Sequence, residues 1–238
     1  MKIALIGYGK MGQAIEKNAL QKGHQIVLKI NIENTGDFTT SAIRQADVAI
    51  EFTGPQSAAD NIRKCLDAGV PVVSGSTGWL SRFAEISQYC QEKEGALVYA
   101  SNFSIGVNLF FELNRYFSAL MARWPQYDVM VEEIHHTQKK DAPSGTAITL
   151  AEDLLENIPR KNRWVNQDTD DPEELAIISQ RIDATPGTHK IRYHSPIDDL
   201  EIIHTAHNRE GFASGAVLAA EFITGKKGVF GMKEVLGL

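Results

Sequence analysis

The stretch KIALIGYGKMGQAIEKNALQKG, residues 2–23, constrains the fold more than any other part of the chain. An apolar run ends in a glycine-rich turn and passes at once into a helical period that stops at Gly23. A strand feeding directly into a helix fits that pattern. The pattern then recurs. HQIVLKINI reads as a second strand, FTTSAIRQADV as a short helix start with polar caps, and VAIEFTGP as a third strand broken by Gly54 and Pro55. SAADNIRKCLDAG reads as a helix closed by Gly69, VPVVSGSTG as a strand, FAEISQYCQEKEG as a helix and ALVYASNFS as a strand. Such alternation, with near-continuous apolar strands, predicts a parallel sheet covered by helices on both faces.

Within this frame the first turn carries chemistry. It reads Gly7-x-Gly9-x-x-Gly12, with Tyr8, Lys10 and Met11 between, and lies after a strand and at the start of a helix. Gly7 permits the tight turn, Gly9 close approach of a pyrophosphate, and Gly12 close packing of helix on sheet. The amides of the helix start then face phosphate. Glu33, just past the second strand, is placed to bond the ribose hydroxyls of an adenosine. This is the pattern of a Rossmann-type doubly wound sheet that binds NADH or NADPH. A carboxylate at Glu33 repels a 2′-phosphate and favours NADH, while Lys10 and Lys29 are the cations near enough to welcome one. Later strand ends add Phe52-Thr53, Gly75-Ser76-Thr77 and Ala100-Ser101-Asn102-Phe103, where ligands of such sheets lie.

The second half changes character. IGVNLFFELNRYFSALMARW reads as a long amphipathic helix, YDVMVEEI as a strand, GTAITLAEDLLENI as a helix and RKNRWVNQDTDDPEE as a polar loop. LAIISQRI, THKIRYHS and LEIIHTAHN are alternating or mixed strands, which predicts an α+β domain with a mixed sheet exposed on one face. The small-residue helix FASGAVLAAEFITG suits close packing back onto the first domain, and VFGMKEVLGL a docked tail. The division expected is 1–104 with 209–238 for the dinucleotide and 105–208 for substrate binding and oligomerisation.

Between the strand and the helix of that second domain, residues 132–147 read EEIHHTQKKDAPSGTA. Neighbours on a strand point to opposite faces, so His135 and His136 should have different roles. Ser144 can cap the helix that follows, leaving the amides of Gly145 and Thr146 to hold an anion. Lys139 lies in the loop between and can reach the same anion, and Asp141 can cap the turn or fix Lys139. A proton donor beside a carboxylate cradle, on a chain with a dinucleotide domain, points to reduction of an anionic substrate. A metal is not expected: His204-x-x-His207 is the other histidine pair, but there is no HExxH pattern and no cysteine partner.

Composition excludes several classes. A net charge of −6 gives no general pull toward nucleic acid, and no apolar run approaches the roughly 20 residues of a membrane span. No signal-peptide cleavage region follows the first apolar run, which suggests a cytoplasmic protein. Cys65 and Cys90 have no partner spacing and read as buried thiols.

The 132–147 stretch closely resembles the signature of the 4-hydroxy-tetrahydrodipicolinate reductase (dihydrodipicolinate reductase) family of lysine biosynthesis. Glu133, His135, His136, Lys139, Asp141 and Ala142 to Ala147 stand in register with it. The resemblance extends through the glycine turn, Phe52-Thr53, Gly75 to Gly78, Asn102-Phe103-Ser104 with Gly106 to Asn108, and Phe212-Ala213-x-Gly215-Ala216. It implies hydride transfer to C4 of a cyclic imine dicarboxylate. It also implies proton donation by His135 and Lys139, substrate contact by His136, Ser144, Gly145 and Thr146, and a homotetramer built on the second-domain sheets. This chain departs from the family's common form in a glycine turn one residue tighter and in a shorter stretch between residues 159 and 180. Aspartate- or homoserine-type dehydrogenases share the two-domain plan but not the His-His-x-x-Lys before Pro-Ser-Gly-Thr. A nucleotide-sensing repressor would need a basic DNA-binding element, and no such element is evident.

Overall fold

The computed structural model describes residues 1–208 and 210–238. It divides into two compact units, Met1–Ile105 with Glu210–Leu238, and Gly106–Arg209. In chain order the first unit contributes β1 (Lys2–Ile6), α1 (Lys10–Gln21), β2 (Gln25–Ile30), α2 (Thr40–Ile43), β3 (Val48–Glu51), α3 (Ala58–Asp67), β4 (Val72–Ser74), α4 (Phe83–Glu92) and β5 (Ala96–Tyr99). There follow α5 (Ile105–Met121), β6 (Asp128–His135), α6 (Gly145–Asn157), β7 (Arg163–Val165), β8 (Glu174–Arg181), β9 (Gly187–His194) and β10 (Asp199–Ala206). The chain then returns to the first unit with α7 (Glu210–Ile223), β11 (Gly228–Phe230) and α8 (Met232–Leu236).

The first unit is a six-stranded, all-parallel sheet in the order β11-β5-β4-β3-β1-β2. Its strands are apolar because both faces are buried. Ala4, Ala49 and Val72 pack under α2, α3 and α4, while Ile3, Val48, Ile50 and Val73 pack under α1, α7 and α8. Gly23 and Gly69 follow α1 and α3 with φ of +80° and +72°, the left-handed conformation that glycine adopts at low cost. Thr39 caps α2 by accepting from the Ala42 amide. Strand order runs one way from β1 to β2 and the other way from β3 onward, so β1 and β3 flank the switch point where such sheets bind ligands. The tail expected merely to dock adds β11 as the edge strand beside β5.

The second unit is a five-stranded mixed sheet in the order β10-β9-β6-β8-β7. β6 alternates strictly: Val129, Val131, Glu133 and His135 are buried, and the residues between are not. The buried side meets α5 and α6 through Phe110, Met121, Leu150, Ala151 and Leu154. Asn114 donates to the Leu150 carbonyl at 3.1 Å, which ties α5 to α6, while its Oδ1 is buried without a partner among the described residues. The expected polar loop at 160–174 needs correction. Residues Arg163–Val165 form β7, parallel to β8, with Trp164 on the helix-covered core. No helix among the described residues is long and apolar enough to cross a membrane.

The closest backbone approach in the first unit involves α7. A Cβ at Gly215 would lie 1.7 Å from the Phe103 carbonyl oxygen, whereas one at Gly9 would meet nothing within 4 Å. Gly215→Ala is therefore expected to lower the unfolding free energy by about 2 kcal/mol or more, and Gly9→Ala by less than about 1 kcal/mol. Urea unfolding of the two variants measures both.

Candidate active site

In the first unit, the glycine turn is forced by its neighbours. Gly7 has φ of +99°, and a Cβ there would sit 2.1 Å from the Phe52 carbonyl oxygen. A Cβ at Gly12 would lie 2.6 Å from the Gly7 carbonyl. Gly9 faces open space, and the first turn of α1 holds no acidic side chain. These residues fit a dinucleotide: the turn is tight, the approach to the Gly9 backbone is open, and the positive helix end is not neutralised.

The adjacent loops are built around an acid that sequence reasoning passed over. Glu51, at the end of β3, is fully buried. It accepts from the Thr53 amide at 2.9 Å, from Ser74 Oγ at 2.6 Å, from Ser76 Oγ at 2.8 Å and from Thr53 Oγ1. A charged residue inside the otherwise apolar run VAIEF was the signal available. Ser76, expected to face the cofactor, instead turns its hydroxyl inward onto Glu51. Phe52 packs its ring over Gly75, where a Cβ would lie 2.2 Å from the ring, and beside Phe103 at 5.7 Å between centroids. Thr53, Thr77 and Ser101 are exposed, Ala100 and Asn102 half-buried.

Near the turn, Tyr8 donates its hydroxyl to Glu16. Lys29 pairs with Glu16 at 2.6 Å and lies 4.9 Å from the centre of the Tyr8 ring. Lys29, one of the two cations weighed for a 2′-phosphate, thus has an anionic partner of its own. Glu33 and Lys10 are exposed.

In the second unit, β6 delivers Glu133 and His135 to its buried face, and His136 follows the strand half-buried. Glu133 is fully buried. Its carboxylate accepts from Arg181 Nη2 at 3.1 Å and from the Ser144 amide at 3.1 and 3.2 Å, and it lies 3.3 Å from His135 Nδ1. Burial pushes its pKa up, but the hydrogen bonds from His135, Ser144, Ser179 and Arg181 outweigh this and hold it well below the usual carboxylate range. Arg181 also donates to the carbonyls of Asp141 at 2.6 Å and Lys139 at 3.4 Å, which ties the 137–141 loop to the sheet. Lys139 is held by Asp141 at 2.8 and 2.9 Å.

Ser144 caps α6 by accepting from the Ala147 amide at 3.2 Å. Its Oγ is also 3.1 Å from His189 Nε2, and the residue is buried. Expected as a substrate contact, Ser144 therefore directs both amide and hydroxyl into the fold and sets the helix start. Gly145 is exposed at that start, with nothing within 4 Å of where a Cβ would stand, and Thr146 is half-buried.

His189 and Arg181 were not anticipated. His189 pairs with Glu133 across β9 and β6, and its ring stands edge-on to His135 with 5.0 Å between centroids. The signal was present in THKIRYHS, where His189 shares the inward side with Ile191 and Tyr193. Burial first, then the nearby His135, push its pKa down to about 3, partly offset by Glu133. A Cβ at Gly187 would lie 3.1 Å from His135 Nε2, a tight contact that brings this backbone close beside the ring. Glu133, His135 and His189 each offer one ligand atom within 4.8 Å of the others, a spacing that would suit a metal. Glu133 uses both its oxygens for Ser144 and Arg181. His204 and His207 do not join the cluster; His204 stands on β10 across from His189, and His207 is exposed.

Sequence models of the dihydrodipicolinate reductase N-terminus and C-terminus match residues 1–103 and 106–236. A 4-hydroxy-tetrahydrodipicolinate reductase from Christiangramia forsetii is 48% identical over 99% of this chain and 98% of its own. The chain belongs to the dihydrodipicolinate reductase family. A dipicolinate-bound dihydrodipicolinate reductase from Paenisporosarcina sp. TG-14 shares the fold at 23% identity, with a TM-score of 0.77 over 97% of both chains. A probable dehydrogenase from Thermotoga maritima shares it more loosely, with a TM-score of 0.56 at 9% identity over 100% of this chain and 89% of that one.

The depressed pKa of His189 has a signed consequence. An unfolded histidine takes up a proton near pH 6.5, and the folded site refuses it until about pH 3. Stability contributed by the neutral ring is full above pH 6.5 and declines as pH falls through that window. Chemical denaturation between pH 7.5 and 4 is expected to show the decline in the wild type and a flatter profile in His189→Gln.

Proposed function

We propose that the chain reduces 4-hydroxy-tetrahydrodipicolinate, by way of dihydrodipicolinate, to tetrahydrodipicolinate with NADH or NADPH, as its relatives are named for doing. The observation that carries this reading is His135. It is set against a buried carboxylate at the end of β6, beside the capped start of α6. When bound, the reduced nicotinamide supplies a hydride to C4 of the conjugated imine. Glu133 stands 3.3 Å from Nδ1 of His135, and Nε2 is the nitrogen left to exchange the proton the product needs. Lys139 is the second proton donor, steadied by Asp141 until a substrate carboxylate competes for it. The amides of Gly145 and Thr146, with the positive end of α6, cradle one carboxylate, and His136 contacts the substrate. A small dicarboxylate is what a helix start and a lysine together favour.

Gly7, Tyr8, Gly9, Lys10, Met11 and Gly12 would hold the pyrophosphate, and the loops after β3, β4 and β5 the nicotinamide half. NADH is the preferred donor on this reading, because Glu33 is anionic and Lys29 is paired. A homotetramer is supported by the side of the second sheet that no helix covers. There Met130, Ile134, Ile178 and Ile203 stand outside the helix-covered core among the ion pairs Lys190–Glu132, at 2.7 Å, and Arg192–Asp199, at 2.6 Å. The biosynthetic role fits a cytoplasmic place.

Loss of nucleotide absorbance should require the condensation product of pyruvate and aspartate semialdehyde. No oxidation of either nucleotide at saturating substrate would sink the assignment. His135→Ala is expected to lower kcat by about 100-fold or more with little change in KM, and Lys139→Ala to impair both. Steady-state kinetics with NADH and NADPH in parallel reads all of these.

A further inference from the structure

Glu51 is a fully buried titratable group that the proposed reaction leaves without a role. The groups around it all donate to it. The Thr53 amide can only donate. Thr53 Oγ1 already accepts from Ser57 at 2.9 Å and Asn61 at 3.2 Å, and Ser76 Oγ accepts from the Thr53 amide at 2.8 Å. Thr53 Oγ1, with both acceptor positions taken, therefore turns its proton to Glu51, and Ser76 donates to the same carboxylate. With Ser74 the donors number four, all neutral, and no Lys, Arg or His among the described residues pairs with this carboxylate. A buried carboxylate held by neutral donors keeps a negative field that an arginine would cancel.

Its position gives that field a target. Glu51 is paired with Ile6 across β1 and β3 and with Ser74 across β3 and β4, one residue below the loops at the switch point. A dinucleotide lying there with its pyrophosphate on the Gly7–Gly12 turn and its adenosine toward β2 places its nicotinamide half over the ends of β3 and β4. A nicotinamide ring is neutral in the reduced cofactor and positively charged in the oxidised one. We infer that Glu51 is an electrostatic positioning residue that favours the oxidised ring over the reduced one, making the bound cofactor a stronger hydride donor. This rests on the nucleotide reading of the first unit. A unit charge about 10 Å away, at an effective dielectric constant of about 20, changes the relative affinity on the order of tenfold.

The experiment measures Kd for NAD+ and for NADH separately, by calorimetry or fluorescence, without substrate. Glu51→Gln is expected to weaken NAD+ relative to NADH on the order of tenfold, and Glu51→Asp, which keeps the charge, to restore the ratio to within about twofold of wild type. A purely structural role would weaken both nucleotides together, and an unchanged ratio in a folded Glu51→Gln overturns the inference. Should that variant fail to fold, the wild type decides the matter with benzamide adenine dinucleotide, a neutral analogue of the oxidised cofactor. NAD+ binding about tenfold tighter than this analogue supports the field, and equal affinity overturns it. If the wild type binds neither NAD+ nor NADH, the nucleotide reading itself fails, and the inference falls with it.

Discussion

Glu133 is the group on which the order of the second unit's site depends. Moving a carboxylate out of water costs several kcal/mol, and only good geometry with satisfied hydrogen bonds recovers it. Here the compensation comes from three elements: His135 on its own strand, the Ser144 amide at the start of α6, and Arg181 at the end of β8. One buried charge therefore fixes a strand end, a helix start and a loop at once. Arg181 extends the network by holding the carbonyls of Lys139 and Asp141. His135 and Lys139 are placed by this network and not by the loop's own preferences.

The first unit holds its own buried acid by different means. Glu51 has only neutral donors, whereas Glu133 has a guanidinium and an imidazole close by. Both stitch neighbouring strand ends together. The difference lies in what remains of the charge: near Glu133 it is balanced locally, and near Glu51 it stays as a field. Gly7 and Gly12 admit no side chain, and Gly7 presses the turn against the Phe52 carbonyl just past the end of β3.

Much of this was legible along the chain. The strand–helix alternation, the glycine turn, the caps at Thr39 and Ser144 and the stop at Gly69 rest on interactions within a few residues, which sequence displays directly. The misses have a common cause. β7 and β11 are three residues each, too short for a period, and become strands only because β8 and β5 offer them partners. Ser76 was expected at the cofactor and Ser144 at the substrate as well as the cap, and what the sequence did not show is that each also hydrogen-bonds to a buried carboxylate. His189 and Arg181 reach the site across strand pairings that span 48 residues or more, as with Glu133 and Arg181.

The sequence by itself determined the fold class, the nucleotide turn and the stretch that carries the family's signature. It also determined that His135 and His136 must differ, since a strand sends neighbours to opposite faces. Only the tertiary structure decided that His135 is the one turned inward, and that Glu133 and Glu51 are compensated in opposite ways. The reason is that register and burial arise between strands. The free energy of a buried charge depends on which distant groups the sheet brings beside it, and no local pattern records that.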